Sequence, residues 1–189
     1  MINHPLHPNG NGTHNSPHIT LTTGPVWQNP DTQNIVVNVL NVSDKPQTVT
    51  VSVIDHSDCT NPNPELGKVA FLCGQPVAPD GMQLTNQPVA EDDGCDCLAD
   101  PSCCNPNPVF TPITFTIPPK ATLAVYAIPN PFRPPVPIFE ARVTGAFTPA
   151  IFPPSPCRIS LFGINAAGFP QLGNIFYHSN FVVYPPVPV

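Results

Sequence analysis

The stretch NIVVNVLNVSDKPQTVTVSVID, residues 34–55, contains two runs rich in apolar residues. In the second run Val49, Val51 and Val53 share one face of the chain and threonine or serine occupies the other, which is the period of a half-buried β-strand. The first run is apolar on both faces, as in a central strand, and SDKP between the runs is a turn sequence. We therefore predict two strands joined as a hairpin.

Proline occurs throughout the chain and argues against helices. The 189 residues include 30 Pro and 11 Gly, and no stretch free of proline is longer than 15 residues. A proline inside a helix costs about 3 kcal/mol, so these intervals suit strands better. Leu, Ile, Val and Phe supply 52 residues. That share is sufficient for a folded core and argues against disorder.

Alternating runs continue towards the C-terminus. VFTPITFTI and ATLAVYAI, residues 109–117 and 121–128, flank the turn PPK and predict a second hairpin. Further runs lie at 138–145, 157–165 and 174–184. The sequence thus predicts an all-β protein, an antiparallel two-sheet sandwich of jelly-roll-like form with about eight strands and an extended N-terminal arm.

Residues 1–30 are predicted to be a connector arm ahead of a single sandwich domain at 31–189. Within the arm, HITLTTG at 18–24 alternates apolar and polar residues, which is typical of a short strand. That strand either opens this chain's own sheet or pairs with the sheet of a neighbouring subunit through main-chain hydrogen bonds. The candidate inter-subunit residues are His18, Ile19, Thr20, Leu21 and Thr22.

Residues 56–108 interrupt the alternation as an insertion that holds six of the seven cysteines. A loop this rich in proline has little apolar surface, and each disulfide would remove about 2 to 4 kcal/mol of unfolded-chain entropy. Disulfides within the insertion, disulfides between chains and a zinc site are the alternatives, although C-x-C-x5-C-C departs from common zinc spacings. Cys157 lies apart and is expected to be a buried apolar residue. The disulfide candidates are Cys59, Cys73, Cys95, Cys97, Cys103 and Cys104.

Histidines and carboxylates show no pattern typical of catalysis. His56 lies in DHSDC at the end of a strand, whereas catalytic triads bring residues together from separate segments. The acidic residues within 91–100 lack the spacing of a helix-flanked calcium loop, so a solvated loop is the alternative to weak calcium binding. His178 is expected at the surface or in an interface. We predict no enzyme, no cofactor and no metal site.

Charge and hydropathy argue against several partners. Only 10 % of residues are charged and the net charge is −6, so no basic patch matches a run of phosphates and no nucleic-acid partner is expected. No apolar run is long enough to predict membrane insertion, and the first 20 residues lack the features of a secretory signal. A surface this poor in charge is expected where subunits cover one another.

The strand sequences resemble a known group of proteins. The stretch at 34–55, the TIPP turn, FEARVTG, the strand ending in FGINAAG and the closing NIFYHSNFVVY are similar to endospore appendage subunits, spore-surface fibre proteins of spore-forming Bacillota. The resemblance covers residues 34–55 and 109–184. It implies a jelly-roll subunit whose N-terminal connector, here residues 1–24, reaches into a neighbouring subunit. Disulfide-linked members carry cysteine in the connector, whereas this arm has none before Cys59.

Together these features predict a structural subunit that self-assembles head to tail into an extracellular or spore-surface fibre. Its partners would be copies of itself, with spore-coat or exosporium proteins as anchors, and its synthesis would occur in the cytoplasm of the producing cell. A non-polymerising anchor, tip or adhesion module is the alternative function. A viral or phage structural β-sandwich is a further alternative.

Overall fold

The computed structural model describes residues 18–57, 60–61, 64–82, 108–128, 138–147 and 155–184. These residues form two antiparallel sheets that face each other, and they contain no α-helix. The predicted all-β two-sheet sandwich is confirmed. Eight strands have five or more residues, and four shorter strands extend the sheets.

The first sheet contains both the N-terminal and the C-terminal strand. Its strands are β1 Ile19–Thr22, β2 Val26–Trp27, β4 Gln47–Asp55, β7 Ile113–Ile117, β9 Ile138–Gly145 and β12 Val182–Val183. Their order is β12–β1–β9–β4–β7, and β2 also pairs with β9. The two ends of the described chain therefore meet at one edge of this sheet.

The second sheet is built around a central apolar strand. Its strands are β3 Asn34–Asn41, β5 Gly67–Leu72, β6 Gln75–Pro76, β8 Thr122–Ile128, β10 Cys157–Ile164 and β11 Pro170–Tyr177. Their order is β11–β10–β3–β8–β5–β6. Val36 and Val37 of β3 point to opposite faces, and they are only 1 % and 0 % exposed. The predicted central strand is confirmed.

One apolar core fills the space between the sheets, because each long strand turns alternate side chains inward. On β4 and β9 the inward residues are Val49, Val51, Val53, Phe139, Ala141 and Val143. Each large side chain buried in this way contributes roughly 2 kcal/mol. The face assigned to Val49, Val51 and Val53 from the sequence is confirmed.

The predicted hairpins are wrong, although their strands are correct. β3 lies in the second sheet and β4 in the first, so the turn between them crosses the sandwich. β7 and β8 are separated in the same way. The physical reason is that two strands with one apolar face each can bury those faces side by side or across a core. Alternation alone does not distinguish these two arrangements.

Asn41 holds the two crossing turns together. Its side chain is fully buried, and Nδ2 donates to the Lys45 carbonyl at 2.8 Å and to the Ile117 and Pro118 carbonyls at 3.0 Å. Oδ1 accepts from the Ser43 N–H at 3.0 Å. A single amide thus satisfies backbone groups of both turns, which keeps them side by side at one end of the sandwich.

The closing strand predicted at 174–184 is two strands in different sheets. β11 ends at Tyr177, a 3₁₀-helix follows at His178–Asn180, and β12 continues on the first sheet. The Tyr177 N–H donates to Asn180 Oδ1 at 2.8 Å, so a local side chain satisfies the backbone at this bend. The change of sheet brings the C-terminal strand against β1.

Within the predicted insertion, the strand expected at KVAFLC is confirmed as β5, and β6 follows it. Residues 58–59, 62–63 and 83–107 lie outside the described residues. The two strands described in the insertion therefore form one edge of the second sheet, whereas Glu65 and Asp80 bond to β4 and β7 of the first.

Replacing Leu123 by Ala is expected to lower the free energy of unfolding by about 2 to 5 kcal/mol, because this side chain is fully buried between the sheets. Leu40 is 37 % exposed. Leu40→Ala is the control and is expected to cost less than about 1 kcal/mol. Equilibrium denaturation measures both variants. Equal losses would contradict the assigned core.

Candidate functional site

The N-terminal strand lies between two other strands of the first sheet. β1 is antiparallel to β9 along one edge and antiparallel to β12 along the other. The Thr20 carbonyl accepts from the Tyr184 N–H at 2.8 Å, and the Thr23 N–H donates to the Ala141 carbonyl at 3.1 Å. Both edges of β1 are therefore hydrogen-bonded. We call the position between β9 and β12 the strand slot.

The two faces of β1 make different contacts. Leu21 points into the core and is 5 % exposed, and Ile19 packs against the same core. Thr20 and Thr22 point outward, and Thr20 Oγ1 lies 2.7 Å from Thr144 Oγ1. Burial of Leu21 contributes roughly 2 kcal/mol. The strand is thus anchored in the core as well as along its backbone.

A β-bulge separates β1 from β2. Between the pairs Thr22–Arg142 and Val26–Phe139, the N-terminal segment has three residues where β9 has two. Gly24 lies in this bulge with a φ of +64°, a conformation that glycine adopts without strain. The bulge marks a bend in the chain directly after β1.

A buried carboxylate fastens β1 to β9 on the outer face of the sheet. Glu140 is 4 % exposed, and its Oε1 accepts from Thr22 Oγ1 at 2.6 Å and from Arg142 Nε at 2.7 Å. Its Oε2 accepts from His56 Nε2 at 2.8 Å and from Arg142 Nη2 at 2.9 Å. Hydrogen bonds to a charged group are the stronger ones in proteins. We call Glu140, Thr22, His56 and Arg142 the Glu140 hub.

These bonds keep Glu140 ionised. Burial by itself raises the pKa of this carboxyl, but hydrogen bonds from Arg142, Thr22 and His56, together with the charge of Arg142, outweigh burial and lower the pKa from 4.5 to about 2. The hydrogen bond to Glu140 in turn raises the pKa of Arg142. At neutral pH, Thr22 therefore donates to a charged acceptor.

Arg142 connects the hub to the C-terminal side of the slot. Its Cζ lies 4.3 Å from the centre of the Tyr184 ring, which is a cation–π contact. Tyr184 follows β12, and its N–H is the group that donates to Thr20. Arg142 lies on β9, on one side of the slot, and Tyr184 lies next to β12, on the other side. Their contact therefore links the two sides of the slot.

A second buried ion pair lies between Lys68 and Glu65. Lys68 is 1 % exposed, and its Nζ donates to Glu65 Oε2 at 2.6 Å and to the Leu66 carbonyl at 2.8 Å. Burial lowers the pKa of Lys68, while the hydrogen bond and charge of Glu65 oppose this shift. Glu65 also accepts from Ser52 Oγ and from the Val53 N–H. Through Glu65, this pair connects Lys68 on β5 to Ser52 and Val53 on β4.

The structure places the candidate strand residues together. β1 is the strand predicted from HITLTTG, and His18 precedes it at the surface. In the single chain β1 fills its own slot, one of the two alternatives that the sequence left open. Pairing with a neighbouring subunit stays a prediction.

The Glu140 hub was not predicted. The run predicted at 138–145 contains Glu140 and Arg142, but it did not show that Thr22 and His56 reach Glu140 from other segments. The available signal was an oppositely charged pair two residues apart in a chain with only 10 % charged residues. Of the residues in DHSDC, the segment considered for catalysis in the sequence, His56 bonds to Glu140 and Asp55 accepts from the Ser57 N–H at 2.7 Å.

Two cysteines lie in the described part of the chain. Cys73 is exposed in the turn after β5, Cys157 is buried, and both are free. Burial raises the pKa of Cys157 to about 11, in agreement with the predicted apolar role. The remaining disulfide candidates lie outside the described residues, as do the acidic residues within 91–100, so the disulfides stay a prediction. Those candidates are Cys59, Cys95, Cys97, Cys103 and Cys104.

His178 is half-buried beside β10. Its Nδ1 accepts from the Ile159 N–H at 3.3 Å, and burial together with the nearby Arg158 lowers its pKa. Among the residues that the structure describes, no group of three or more His, Cys, Asp or Glu side chains is placed to hold a metal ion. No helix within those ranges has the length and apolar character needed to cross a membrane.

Comparisons with known proteins identify no relative. The chain matches no protein family, no curated protein and no solved structure. Nothing in them identifies the endospore appendage family, so that resemblance stays a prediction from the strand and turn sequences.

Acid is expected to weaken the fold through Glu140. Because the pKa of this carboxyl is about 2 in the folded chain and 4.5 ordinarily, its contribution is present above pH 4.5 and disappears as the pH falls towards 2. The contribution is on the order of 3 kcal/mol. Glu140→Gln is expected to lower the free energy of unfolding at neutral pH and to flatten its dependence on acid pH.

Urea denaturation across this pH range measures both effects. Asp44→Asn is the control, because Asp44 is 91 % exposed in its ion pair with Lys120, and exposed pairs contribute little. The control should keep the wild-type pH profile. A Glu140→Gln profile identical to that of the control would show that the hub does not stabilise the fold.

Proposed function

We propose that this chain is a structural subunit that assembles head to tail into a fibre by placing β1 in the strand slot of a neighbouring copy. The observation that supports this proposal most is the position of β1 between β9 and β12, with hydrogen bonds along both edges. A slot of this kind binds an extended segment mainly through backbone groups. It therefore accepts the same segment from its own chain or from another.

We call the placement of β1 in the slot of another copy exchange. The contacts that β1 makes with its slot are the same before and after exchange. Leu21 packs into the core, Thr22 donates to Glu140, and Thr20 lies against Thr144. These partners belong to strands far away in sequence, so another copy of β1 makes the same contacts. Exchange changes the path of the chain only near the bulge at residues 23–25. Protein concentration and the linker at 23–25, which joins β1 to β2, then decide which copy fills the slot.

Such an exchange uses different surfaces on the two copies, a strand on one and a slot on the other. A contact of this type closes into a ring only if the rotation between successive copies allows it, and otherwise repeated exchange produces an open filament. A surface with few charges is suited to being covered by neighbouring subunits. The spore-surface location, and anchoring by coat or exosporium proteins, are proposed on the resemblance alone.

The alternative functions predict a different occupant of the slot. An anchor, tip or adhesion module that does not polymerise keeps β1 in its own slot at every protein concentration. A viral or phage sandwich assembled through other surfaces does the same. The chain that supplies β1 in the assembled protein therefore discriminates between the functions.

Cysteines at Thr20 and Thr144 are expected to report which chain supplies β1. The two hydroxyls lie 2.7 Å apart. Because the Thr20 carbonyl faces β12, Thr20 and Thr144 form a non-hydrogen-bonded pair, in which side chains are closest. Oxidation of assembled Thr20→Cys/Thr144→Cys protein should give a covalent ladder on a non-reducing gel. Fibres in which every product is an internally crosslinked monomer would contradict exchange.

Thr50→Cys with Thr114→Cys is the matched control. These hydroxyls, on β4 and β7 of the same face, lie 2.9 Å apart. Neither strand is exchanged in the proposal, so this disulfide should be internal in every state of assembly. Each single variant, run beside the wild type, accounts for crosslinks through native cysteines such as the exposed Cys73.

A further inference from the structure

The bulge between β1 and β2 is held by hydrogen bonds of its own. Thr23 Oγ1 donates to the Gly24 carbonyl at 2.8 Å, and the Gly24 N–H donates to Thr22 Oγ1 at 2.9 Å. Thr23 Oγ1 also accepts from the Ala141 N–H at 3.1 Å, which ties the bulge to β9. Neighbouring threonines thus bind both polar backbone groups of Gly24. We call residues 23–25 in this conformation the closed hinge.

Gly24 determines the backbone of the closed hinge. Its φ of +64° lies in the left-handed region, which disfavours every residue that has a Cβ. Apart from the adjoining residues, no atom lies within 4 Å of the position that a Cβ would occupy at Gly24. A methyl group at this position would therefore meet no neighbour, and its effect would be on the backbone alone.

We propose that Gly24 keeps β1 in the slot of its own chain, so that the conformation of this one residue sets the balance between the closed hinge and exchange. This inference rests on the proposed function. In the closed chain β1 and β2 pair with the same β9, and the bulge at 23–25 joins them. In the proposed exchange β1 and β2 pair with the β9 strands of two different copies. Nothing then requires Gly24 to keep a positive φ.

The shortness of the hinge makes its conformation matter for exchange. Four Cα–Cα steps separate Thr22 from Val26, and they reach at most about 14 Å when fully extended. A left-handed residue turns the chain and shortens that reach. Pro25 follows Gly24, and the residue before a proline favours extended backbone. An extended residue 24 therefore suits exchange, whereas the closed hinge needs the left-handed one.

Alanine at position 24 is expected to favour exchange. If copies exchange, the ratio of intermolecular to internal crosslinks in the full-length Thr20→Cys/Thr144→Cys protein rises with protein concentration. Gly24→Ala in this parent should lower the concentration at which the two products are equal by roughly tenfold, because the left-handed region disfavours alanine by about that factor. Gly24→Asn should lower it less, since asparagine tolerates the left-handed region. Non-reducing gels after equilibration and oxidation measure the ratio.

Gly168→Ala is the matched control. Gly168 lies between β10 and β11 with a φ of +77°, and its Cβ position is also free of neighbours within 4 Å. Both alanine variants should lower the melting temperature of the monomer. Gly168→Ala should leave the crosslink ratio unchanged, because it strains closed and exchanged chains equally.

The outcomes separate this inference from the proposed function. A parent that gives only internal crosslinks at every concentration would overturn the proposed function and this inference with it. A parent that does exchange, with the same crosslink ratio in Gly24→Ala as in Gly168→Ala, would overturn the role of Gly24 alone.

Discussion

Strand β9 needs a hydrogen-bonded neighbour on each edge, and β1 supplies one of them along residues 142–145. In the first sheet, β12 pairs with β1 and reaches β9 only through it. Loss of β1 from the slot therefore strips two strands from the edge, removes Leu21 from the core and takes the Thr22 hydrogen bond away from Glu140. An edge left open beside an incomplete core is a strong template for a strand from another copy. The proposed assembly by exchange depends on this constraint.

The crossing turns explain why the chain ends come to share this edge. Because β3 and β4 lie in opposite sheets, as do β7 and β8, neighbours in sequence meet across the core. Asn41 stabilises that arrangement by bonding to backbone groups of both turns. Residues 178–180 then carry the chain from the second sheet back to the first, which places β12 against β1. The slot is thus a product of topology, and the Glu140 hub fastens what occupies it.

The sequence was sufficient for the strands and their faces, because burial of one face imposes a period of two that is visible in residues such as Val49, Val51 and Val53. It did not determine which strands pair, since an apolar face is satisfied equally by a neighbour in the sheet or by the opposite sheet. The Glu140 hub was missed for the same reason. It joins residues from segments distant in sequence, and nothing local in the chain marks their proximity.

The most direct test of the account is complementation of a chain that lacks residues 1–24 by the separate peptide HITLTTG, residues 18–24. We predict that the truncated chain melts at a lower temperature than the full chain, or folds only with the peptide present. The peptide should bind saturably and raise the melting temperature, and a peptide carrying Leu21→Asp should do neither. A truncated chain that melts like the full chain, or that folds but does not bind HITLTTG, would contradict the account.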